Sequence, residues 1–383
     1  MLESALAAGI TEAGGDVMLG GVLPTPAAAL LSRQYGFDLA VVVSASHNPY
    51  WDNGIKLFGG DGGKLDDATE AGVEERIANP LPPAGRPGRI TELRAAERDY
   101  LRALQEAFRL DLNGLKVVLD CANGATHRVA GEIFTRLGAD VELMADRPDG
   151  RNINLECGST ELGPLSKRVA ESAASIGFAF DGDGDRVLAV DGDGRTHDGD
   201  ELISLIAAHR GERGTLGGGV AVTVMTNYGF HNAMAAAGVE VAVTNVGDRY
   251  VLEALKEKGW TLGGEQSGHI ISTDYAPTGD GIAAALMVLE ALDGRPLAEA
   301  SVMEKLPQTL VNVTVADREA IAGAGAVWSA VDEANAKLEG KGRVLVRPSG
   351  TEPLVRVMVE APTQDEADRI CTELVDLVAS ELG

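Results

Sequence analysis

The stretch from Lys116-Val117-Val118-Leu119-Asp120 to Leu137-Gly138-Ala139-Asp140-Val141-Glu142-Leu143 decides the fold class. Its first five residues indicate a buried strand, and its last seven are typical of a helix that ends at glycine and leads into a second strand. The same pattern recurs at residues 220–224 and 237–243. Strand, helix and strand at this spacing predict βαβ units with parallel strands.

The helix–glycine–strand pattern also occurs at residues 13–19, so three related domains are expected. A charged helix is predicted over residues 91–107, after a stretch rich in proline and glycine. After Pro307 an alternating strand, a long helix and two further strands predict a different arrangement. The predicted class is α/β, with three related βαβ mixed-sheet domains followed by a smaller α+β C-terminal domain. The expected boundaries are 1–110, 111–210, 211–305 and 306–383.

Composition restricts the partners of the chain. The 383 residues carry a formal charge of −25, and aromatic residues make up 4%. Nucleic acids and anionic membranes need a basic surface, so neither is expected as a partner. Three cysteines without a CxxC pair argue against a zinc knuckle or a disulfide scaffold and favour a reducing cytoplasm.

An acidic loop is the strongest chemical signal. A strand predicted at residues 178–180 leads into Asp181-Gly182-Asp183-Gly184-Asp185-Arg186. The glycines allow the three carboxylates to converge, and clustered hard oxygen ligands suit Mg²⁺. An EF-hand is excluded because Arg186 stands at the sixth loop position and Gly192 at the twelfth. The similar run at residues 191–194 lies between two predicted strands and is interpreted as a hairpin turn.

A serine loop, Ser44-Ala45-Ser46-His47-Asn48-Pro49, follows a strand predicted at residues 39–43. Ligands gather beyond the carboxyl ends of parallel strands, so a serine here could be a nucleophile or a phosphate carrier. An ordinary polar turn explains the hexapeptide equally well. Strand alternation does not separate Ser44 from Ser46.

Two further loops could bind a sugar phosphate. Gly263-Gly264-Glu265-Gln266-Ser267-Gly268-His269 offers side chains for sugar hydroxyls, although a plain turn is the default interpretation. Arg347-Pro348-Ser349-Gly350-Thr351-Glu352-Pro353 and the nearby Arg356 offer hydroxyls, backbone N–H groups and two guanidinium groups to phosphate oxygens.

In this order the four loops resemble those of the α-D-phosphohexomutase superfamily: a serine loop, an acidic metal loop, a sugar loop and a phosphate loop. The resemblance covers nearly the whole chain. Within the superfamily, the wording of residues 44–49, 264–269 and 347–353 is similar to that of the phosphoglucosamine mutases. Gln266 stands where the phosphomannomutase/phosphoglucomutase members typically carry Met.

The resemblance implies a Mg²⁺-dependent isomerase that interconverts glucosamine 6-phosphate and glucosamine 1-phosphate. The reaction would use a phosphoserine and glucosamine 1,6-bisphosphate as intermediate, and would supply UDP-N-acetylglucosamine and cell-wall synthesis. Its partner would be a small-molecule sugar phosphate, its location the cytoplasm, and a homodimer remains open. The alternative within the superfamily is a phosphomannomutase/phosphoglucomutase.

The resemblance also implies roles for individual residues. The catalytic set is Ser46 as the phosphoserine, together with His47, Lys56, Arg186 and His269. The metal ligands are Ser46, Asp181, Asp183 and Asp185. The substrate-binding set comprises Gly247, Asp248, Arg249, Glu265, Ser267, Arg347, Ser349, Gly350, Thr351 and Arg356.

The start of the chain departs from the superfamily. Members usually begin with a strand and a loop carrying Gly-Thr-Asp-Gly-x-Arg-Gly, and nothing like it precedes Met1. The N-terminal part of the first domain is therefore expected to be missing. Because that loop normally lines the serine site, a second alternative is a sugar-phosphate-binding protein that is inactive through truncation.

Overall fold

A computed structural model describes residues 1–79, 85–349 and 352–383. The chain forms two compact units. Unit 1 comprises Met1–Met225 and Glu240–Ser301, and unit 2 comprises Thr226–Val239 and Val302–Gly383. Throughout the described ranges, every helix is too short or too polar to cross a lipid bilayer.

The first part of unit 1 contains two separate two-stranded sheets. Its elements are α1 (Leu2–Glu12), β1 (Val17–Leu19), α2 (Thr25–Tyr35), β2 (Leu39–Ser44), β3 (Gly54–Gly59), α3 (Asp67–Ala78), β4 (Ile90–Glu92) and α4 (Ala96–Ala107). Strands β1 and β4 pair in parallel, whereas β2 and β3 form an antiparallel pair. The helix predicted over residues 91–107 was wrong at its start, because Thr91 pairs with Met18 in the sheet. A β-branched side chain favours this extended conformation.

The middle of unit 1 confirms the βαβ prediction. Its elements are β5 (Lys116–Asp120), α5 (Val129–Arg136), β6 (Asp140–Met144), α6 (Gly163–Ser172), β7 (Ile176–Phe180), β8 (Val187–Asp191), β9 (Thr196–His197) and α7 (Gly199–Glu212). The sheet order is β6-β5-β7-β8-β9, with β5, β6 and β7 parallel and the last two strands antiparallel. The predicted hairpin turn is confirmed, because the Asp191 side chain accepts hydrogen bonds from the backbone N–H groups of Asp193 and Arg195.

A second mixed sheet completes unit 1. Its elements are β10 (Gly219–Thr223), β11 (Glu240–Thr244), α9 (Asp248–Lys258), β12 (Leu262–Gly264), β13 (Ile270–Ser272) and α10 (Gly281–Leu292), while α8 (Tyr228–Ala236) belongs to unit 2. The order is β11-β10-β12-β13, with only the β12–β13 pair antiparallel. Ala221, Val251, Leu255 and Ile271 form a buried cluster between this sheet and α9.

Unit 2 has an antiparallel sheet. Its elements are α8, β14 (Gln308–Thr314), α11 (Gly325–Lys337), β15 (Arg343–Pro348), β16 (Leu354–Glu360) and α12 (Gln364–Leu382). The order is β14-β16-β15, and one apolar cluster joins the sheet to α11 and α12. Glu360, buried on β16, accepts hydrogen bonds from the Tyr228 backbone N–H and from Arg343 Nε. The predicted fold class, with its smaller α+β domain, is confirmed.

Candidate active site

A cavity of about 420 Å³ in unit 1 brings together residues from three separate parts of the chain. It is lined by Ser46, Lys56, Lys64, Asp185, Arg186, Val246, Gly247, Asp248, Glu265, Ser267 and His269. Most of the predicted catalytic and sugar-binding residues of unit 1 therefore face the same space.

The acidic loop begins where β7 ends, and its three carboxylates converge. Asp181, Asp183 and Asp185 are buried, and each offers an oxygen within 4.8 Å of the others. The intervening glycines are required by geometry: Gly184 has φ 72°, and a Cβ on Gly182 would lie 2.4 Å from the Ser46 carbonyl oxygen. Burial and the neighbouring carboxylates Asp185 and Asp183 raise the pKa of Asp181 well above its ordinary value.

The charge at this loop fits a hard divalent cation. Lys56 Nζ lies 2.5 Å from Asp183 Oδ2 and 3.0 Å from Asp185 Oδ2. Asp183 Oδ1 and Asp185 Oδ1 are buried and accept no hydrogen bond within the described part of the chain. Buried carboxylate oxygens need compensation by positive charge, and carboxylates are preferred ligands of Mg²⁺. The three aspartates therefore have the chemistry and the proximity that a magnesium site needs.

The serine loop brings Ser46 to this acidic cluster. Ser46 has φ 52°, a left-handed conformation that is uncommon outside glycine. Its Oγ lies 3.4 Å from Asp181 Oδ2. Ser44 Oγ instead accepts a hydrogen bond of 2.9 Å from the Ser46 backbone N–H. The structure thus separates the two hydroxyl groups that strand alternation left equivalent.

His47 is not among the residues that line the larger cavity. It lines a smaller cavity, of about 160 Å³, with residues that include Trp51, Arg151 and Asn154. Burial and the nearby Arg186 guanidinium lower the pKa of His47. The catalytic role of His47 remains a prediction. Arg186, by contrast, lines the larger cavity, and its Nε lies 3.8 Å from Asp185 Oδ1.

The sugar loop is a tight turn between β12 and β13. The Glu265 backbone N–H donates to the His269 carbonyl oxygen, and Glu265 Oε1 accepts a hydrogen bond from the Gly247 backbone N–H. Gln266 is directed elsewhere, because its Nε2 donates to Asp198 Oδ2 at 3.2 Å. Glu265 and Ser267 therefore line the cavity, whereas Gln266 connects the loop to Asp198, the residue before α7.

His269 lies between two carboxylates. Its Nδ1 is 3.6 Å from Asp185 Oδ1, and its Nε2 is 3.6 Å from Asp248 Oδ2. The Gly279 backbone N–H donates to Nε2 at 3.2 Å. In the neutral ring the proton is consequently assigned to Nδ1, on the side of Asp185.

Lys64 is a cavity residue that the sequence analysis missed. It follows the glycine-rich turn after β3, and its Nζ pairs with Asp248. A lysine after a run of glycines was the available signal, because such turns bring backbone and charge close to ligands. Arg249, a predicted substrate-binding residue, is not among the residues that line the cavity, and it donates to the Leu65 carbonyl oxygen at 3.4 Å.

The phosphate loop belongs to unit 2. Arg347 on β15 is paired across the sheet with Arg356 on β16, and burial together with Arg356 lowers the pKa of Arg347. Ser349 is buried, and its Oγ accepts a hydrogen bond of 3.3 Å from the Glu352 backbone N–H. Gly350 and Thr351 lie outside the described residues. Two opposed guanidinium groups favour an anionic ligand.

Four family descriptions match the chain in succession. Residues 1–82, 98–194 and 198–310 match the phosphoglucomutase/phosphomannomutase alpha/beta/alpha domains I, II and III. Residues 310–377 match the phosphoglucomutase/phosphomannomutase C-terminal domain. The finer boundaries of the four-domain division remain a prediction.

Relatives that match nearly the whole chain are phosphoglucosamine mutases. The chain is 50% identical to a phosphoglucosamine mutase from Moorella thermoacetica, over 98% of this chain and 86% of that protein. It is also 50% identical to a phosphoglucosamine mutase from Desulforudis audaxviator, over 99% of this chain and 86% of that protein.

Solved structures share the fold. A phosphoglucomutase/phosphomannomutase family protein from Burkholderia thailandensis superimposes with a TM-score of 0.82 at 25% identity, covering 99% of this chain and 86% of that one. An N-acetylphosphoglucosamine mutase from Aspergillus fumigatus, solved with GlcNAc-6P and magnesium, has a TM-score of 0.67 at 20% identity, covering 99% of each chain.

Proposed function

Because the chain belongs to the phosphoglucosamine mutase family, we propose that its unit 1 cavity interconverts glucosamine 6-phosphate and glucosamine 1-phosphate. The observation that carries the proposal is the position of Ser46. Its Oγ lies 3.4 Å from Asp181 Oδ2. Ser46 also shares one cavity with Glu265, Ser267 and His269. The phosphomannomutase/phosphoglucomutase alternative is not favoured by the names of the relatives at 50% identity.

Asp181, Asp183 and Asp185 would hold Mg²⁺ together with Ser46. Bound Mg²⁺ supplies a Lewis acid that neutralises the charge of the transferring phosphoryl group. Lys56 contributes a further positive charge: burial alone would lower its pKa, but Asp185 and Asp183 outweigh burial and raise it. Lys56 is therefore an ammonium group, suited to stabilise the departing Ser46 oxygen.

The first transfer breaks the Oγ–P bond of phosphorylated Ser46 and forms a bond between phosphorus and the 1-oxygen of glucosamine 6-phosphate. The proton of the sugar hydroxyl passes through water in the cavity to the departing Ser46 oxygen, so that neither oxygen is left charged. His269 lines the same cavity, between Asp185 and Asp248. Glucosamine 1,6-bisphosphate then reverses its orientation. In the second transfer the 6-phosphoryl group returns to Ser46, the sugar 6-oxygen regains a proton, and glucosamine 1-phosphate is left.

In unit 1, the remaining cavity residues bind and orient the sugar phosphate. The Glu265 carboxylate accepts hydrogen bonds from sugar hydroxyls, and the Ser267 hydroxyl can both donate to them and accept from them. In unit 2, the opposed Arg347 and Arg356 guanidinium groups bind a phosphate group. The product supplies UDP-N-acetylglucosamine and cell-wall synthesis. A cytoplasmic location and a homodimer remain predictions.

Peptide mapping tests the carrier serine. Purified protein should contain a phosphorylated fraction, with the phosphate on Ser46. Ser46→Ala should lose both the phosphate and turnover, since no other group starts the cycle. Ser44→Ala is the matched control, two residues away, and should retain the phosphate because Ser44 Oγ only accepts the Ser46 backbone N–H. Phosphate on Ser44, or turnover in Ser46→Ala, would overturn the mechanism.

Substrate choice is tested by comparing kcat/KM for the phosphates of glucosamine, glucose and mannose. Glucosamine phosphate should be preferred, because the relatives at 50% identity are phosphoglucosamine mutases. A preference for mannose phosphate would instead place the chain with the phosphomannomutases in function.

A further inference from the structure

Asn154 connects the loop after β6 to the serine loop. Its Nδ2 donates one hydrogen bond to the Ser46 carbonyl oxygen and a second to the Asn48 carbonyl oxygen, each of 2.8 Å. A primary amide has two donor hydrogens, so these two contacts use its full donor capacity. Asn154 does not line the larger cavity.

The loop that carries Asn154 is itself anchored. The Asn154 backbone N–H donates to the Ala122 carbonyl oxygen at 2.9 Å. Beneath this contact, the buried Asp120 carboxylate accepts hydrogen bonds from the backbone N–H groups of Ala122 and Gly158, each of 2.9 Å. Asn154 therefore transmits the position of the end of β5 to the serine loop.

Ser46 needs such support because of its conformation. Its φ of 52° is unfavourable for a residue with a Cβ, so the loop has an intrinsic tendency to relax. On its other side the Ser46 carbonyl oxygen faces Gly182, where an added Cβ would lie 2.4 Å away. The peptide group that follows Ser46 is thus held between Gly182 of the metal loop and the Asn154 amide.

We propose that Asn154 is the positioning residue of the phosphate-carrying serine: its amide holds the Ser46 peptide group so that Ser46 Oγ points at Asp181. The inference rests on the proposed function for its effect on catalysis. Asn154 touches no sugar-binding side chain that faces the cavity, so its loss acts on the transfer steps. Small misplacements of a reacting group have large effects on rate.

Two variants separate the amide from the backbone. Asn154→Asp keeps the size of the side chain and the tolerance for the left-handed φ of 57°, but removes both donors. Asn154→Gly keeps the conformation and removes the side chain. Asn152→Ala is the matched control, since its amide donates to the Arg147 carbonyl oxygen in the same loop.

Hydrogen exchange of peptides covering residues 44–52 and steady-state kinetics are measured for each folded variant. Both Asn154 variants should exchange faster in these peptides and lose roughly 10- to 100-fold in kcat, with KM within about twofold. Asn152→Ala should match wild type. Unchanged exchange at residues 44–52 in Asn154→Asp overturns the proposal, and so does a loss confined to KM. The exchange result stands even when wild type fails to turn over glucosamine phosphate, which would count against the proposed function alone.

Discussion

Lys64, in the loop after β3, forms an ion pair with Asp248, the first residue of α9. Asp248 lies 3.6 Å from His269, and His269 lies 3.6 Å from Asp185. A row of neighbouring polar side chains therefore crosses the cavity from Asp185 of the metal loop to Lys64. His269 and Lys64 lower the pKa of Asp248, although burial by itself would raise it.

Replacing Lys64 by Met should reduce kcat/KM by about 10-fold, because it removes an ammonium group from the cavity and takes this partner away from Asp248, whose side chain is 17% exposed. Lys64→Arg should recover part of the activity. Lys167→Met is the control, since Lys167 is exposed and lies 3.9 Å from Glu171 on α6. Equal kcat/KM values for Lys64→Met and wild type would contradict a role for this pair.

Asp183→Asn should weaken Mg²⁺ binding, because one of three hard anionic ligands becomes neutral. At a concentration 100 times its Kd, a ligand stabilises the folded protein by about 2.7 kcal/mol, and a tenfold weaker site gains only about 1.4 kcal/mol. The measurement is the Mg²⁺-induced change in the free energy of unfolding.

Asp193→Asn is the control for the metal experiment. Asp193 belongs to the exposed hairpin turn, where its backbone N–H donates to Asp191 Oδ1. Its response to Mg²⁺ should equal that of wild type. The same response in Asp183→Asn would refute the assignment of the acidic loop.

Tyr100→Phe should destabilise unit 1 in a pH-dependent manner. Tyr100 OH donates to the Asp280 carboxylate, with 3.0 and 2.9 Å to its two oxygens, and burial raises the pKa of Asp280 to about 6. Because the folded-state pKa lies above the unfolded value, stability from this group falls as pH rises from about 4 to 6. Removing the hydroxyl should cost about 1–3 kcal/mol at pH 8, where the carboxylate is ionised, and less at pH 5.

Urea unfolding at the two pH values checks the Tyr100 prediction. Tyr250→Phe, at a residue that is 44% exposed, provides the control and should leave the free energy of unfolding within about 0.5 kcal/mol of wild type. A loss for Tyr100→Phe that is the same at pH 5 and pH 8 would contradict the coupling to Asp280.

His197 should make the stability of unit 1 depend on pH in the neutral range. It is buried between Asp191 and Glu201, with nitrogen–oxygen distances of 3.0 and 3.1 Å. Burial alone would lower its pKa, but the hydrogen bonds to Glu201 and Asp191 outweigh burial and raise it. The stabilisation is therefore complete below the unfolded pKa of about 6.5 and is lost as pH rises through the folded value.

The corresponding variant is His197→Gln, which should lose more stability at pH 6 than at pH 9. His127→Gln is the control, because His127 Nδ1 lies 2.9 Å from a backbone carbonyl oxygen rather than a carboxylate. Denaturant unfolding at both pH values measures the difference. A loss that grows with pH would reverse the sign and refute the prediction.

The local pattern of apolar and polar residues predicted many of the helices and strands. The strand at Lys116–Asp120 and the final helices follow from side-chain periodicity, which depends only on neighbours in the chain. The start of α4 did not follow, because Thr91 is extended by its pairing with Met18, a partner 73 positions away that periodicity does not report. Long-range strand pairing sets the conformation of Thr91, which its β-branched side chain also favours.

The sequence by itself indicated the acidic loop as a metal site, because alternating aspartate and glycine allow carboxylates to converge. It indicated the serine, sugar and phosphate loops chiefly through the resemblance of all four loops, in order, to one superfamily. Only the tertiary structure decided which side chains face the cavity. It directed Gln266 towards Asp198, brought Lys64 to Asp248 and placed Asn154 beneath Ser46, 108 residues away. These contacts depend on how separate sheets pack within unit 1, and the packing satisfies buried charges and amides with whatever partner lies within hydrogen-bonding distance.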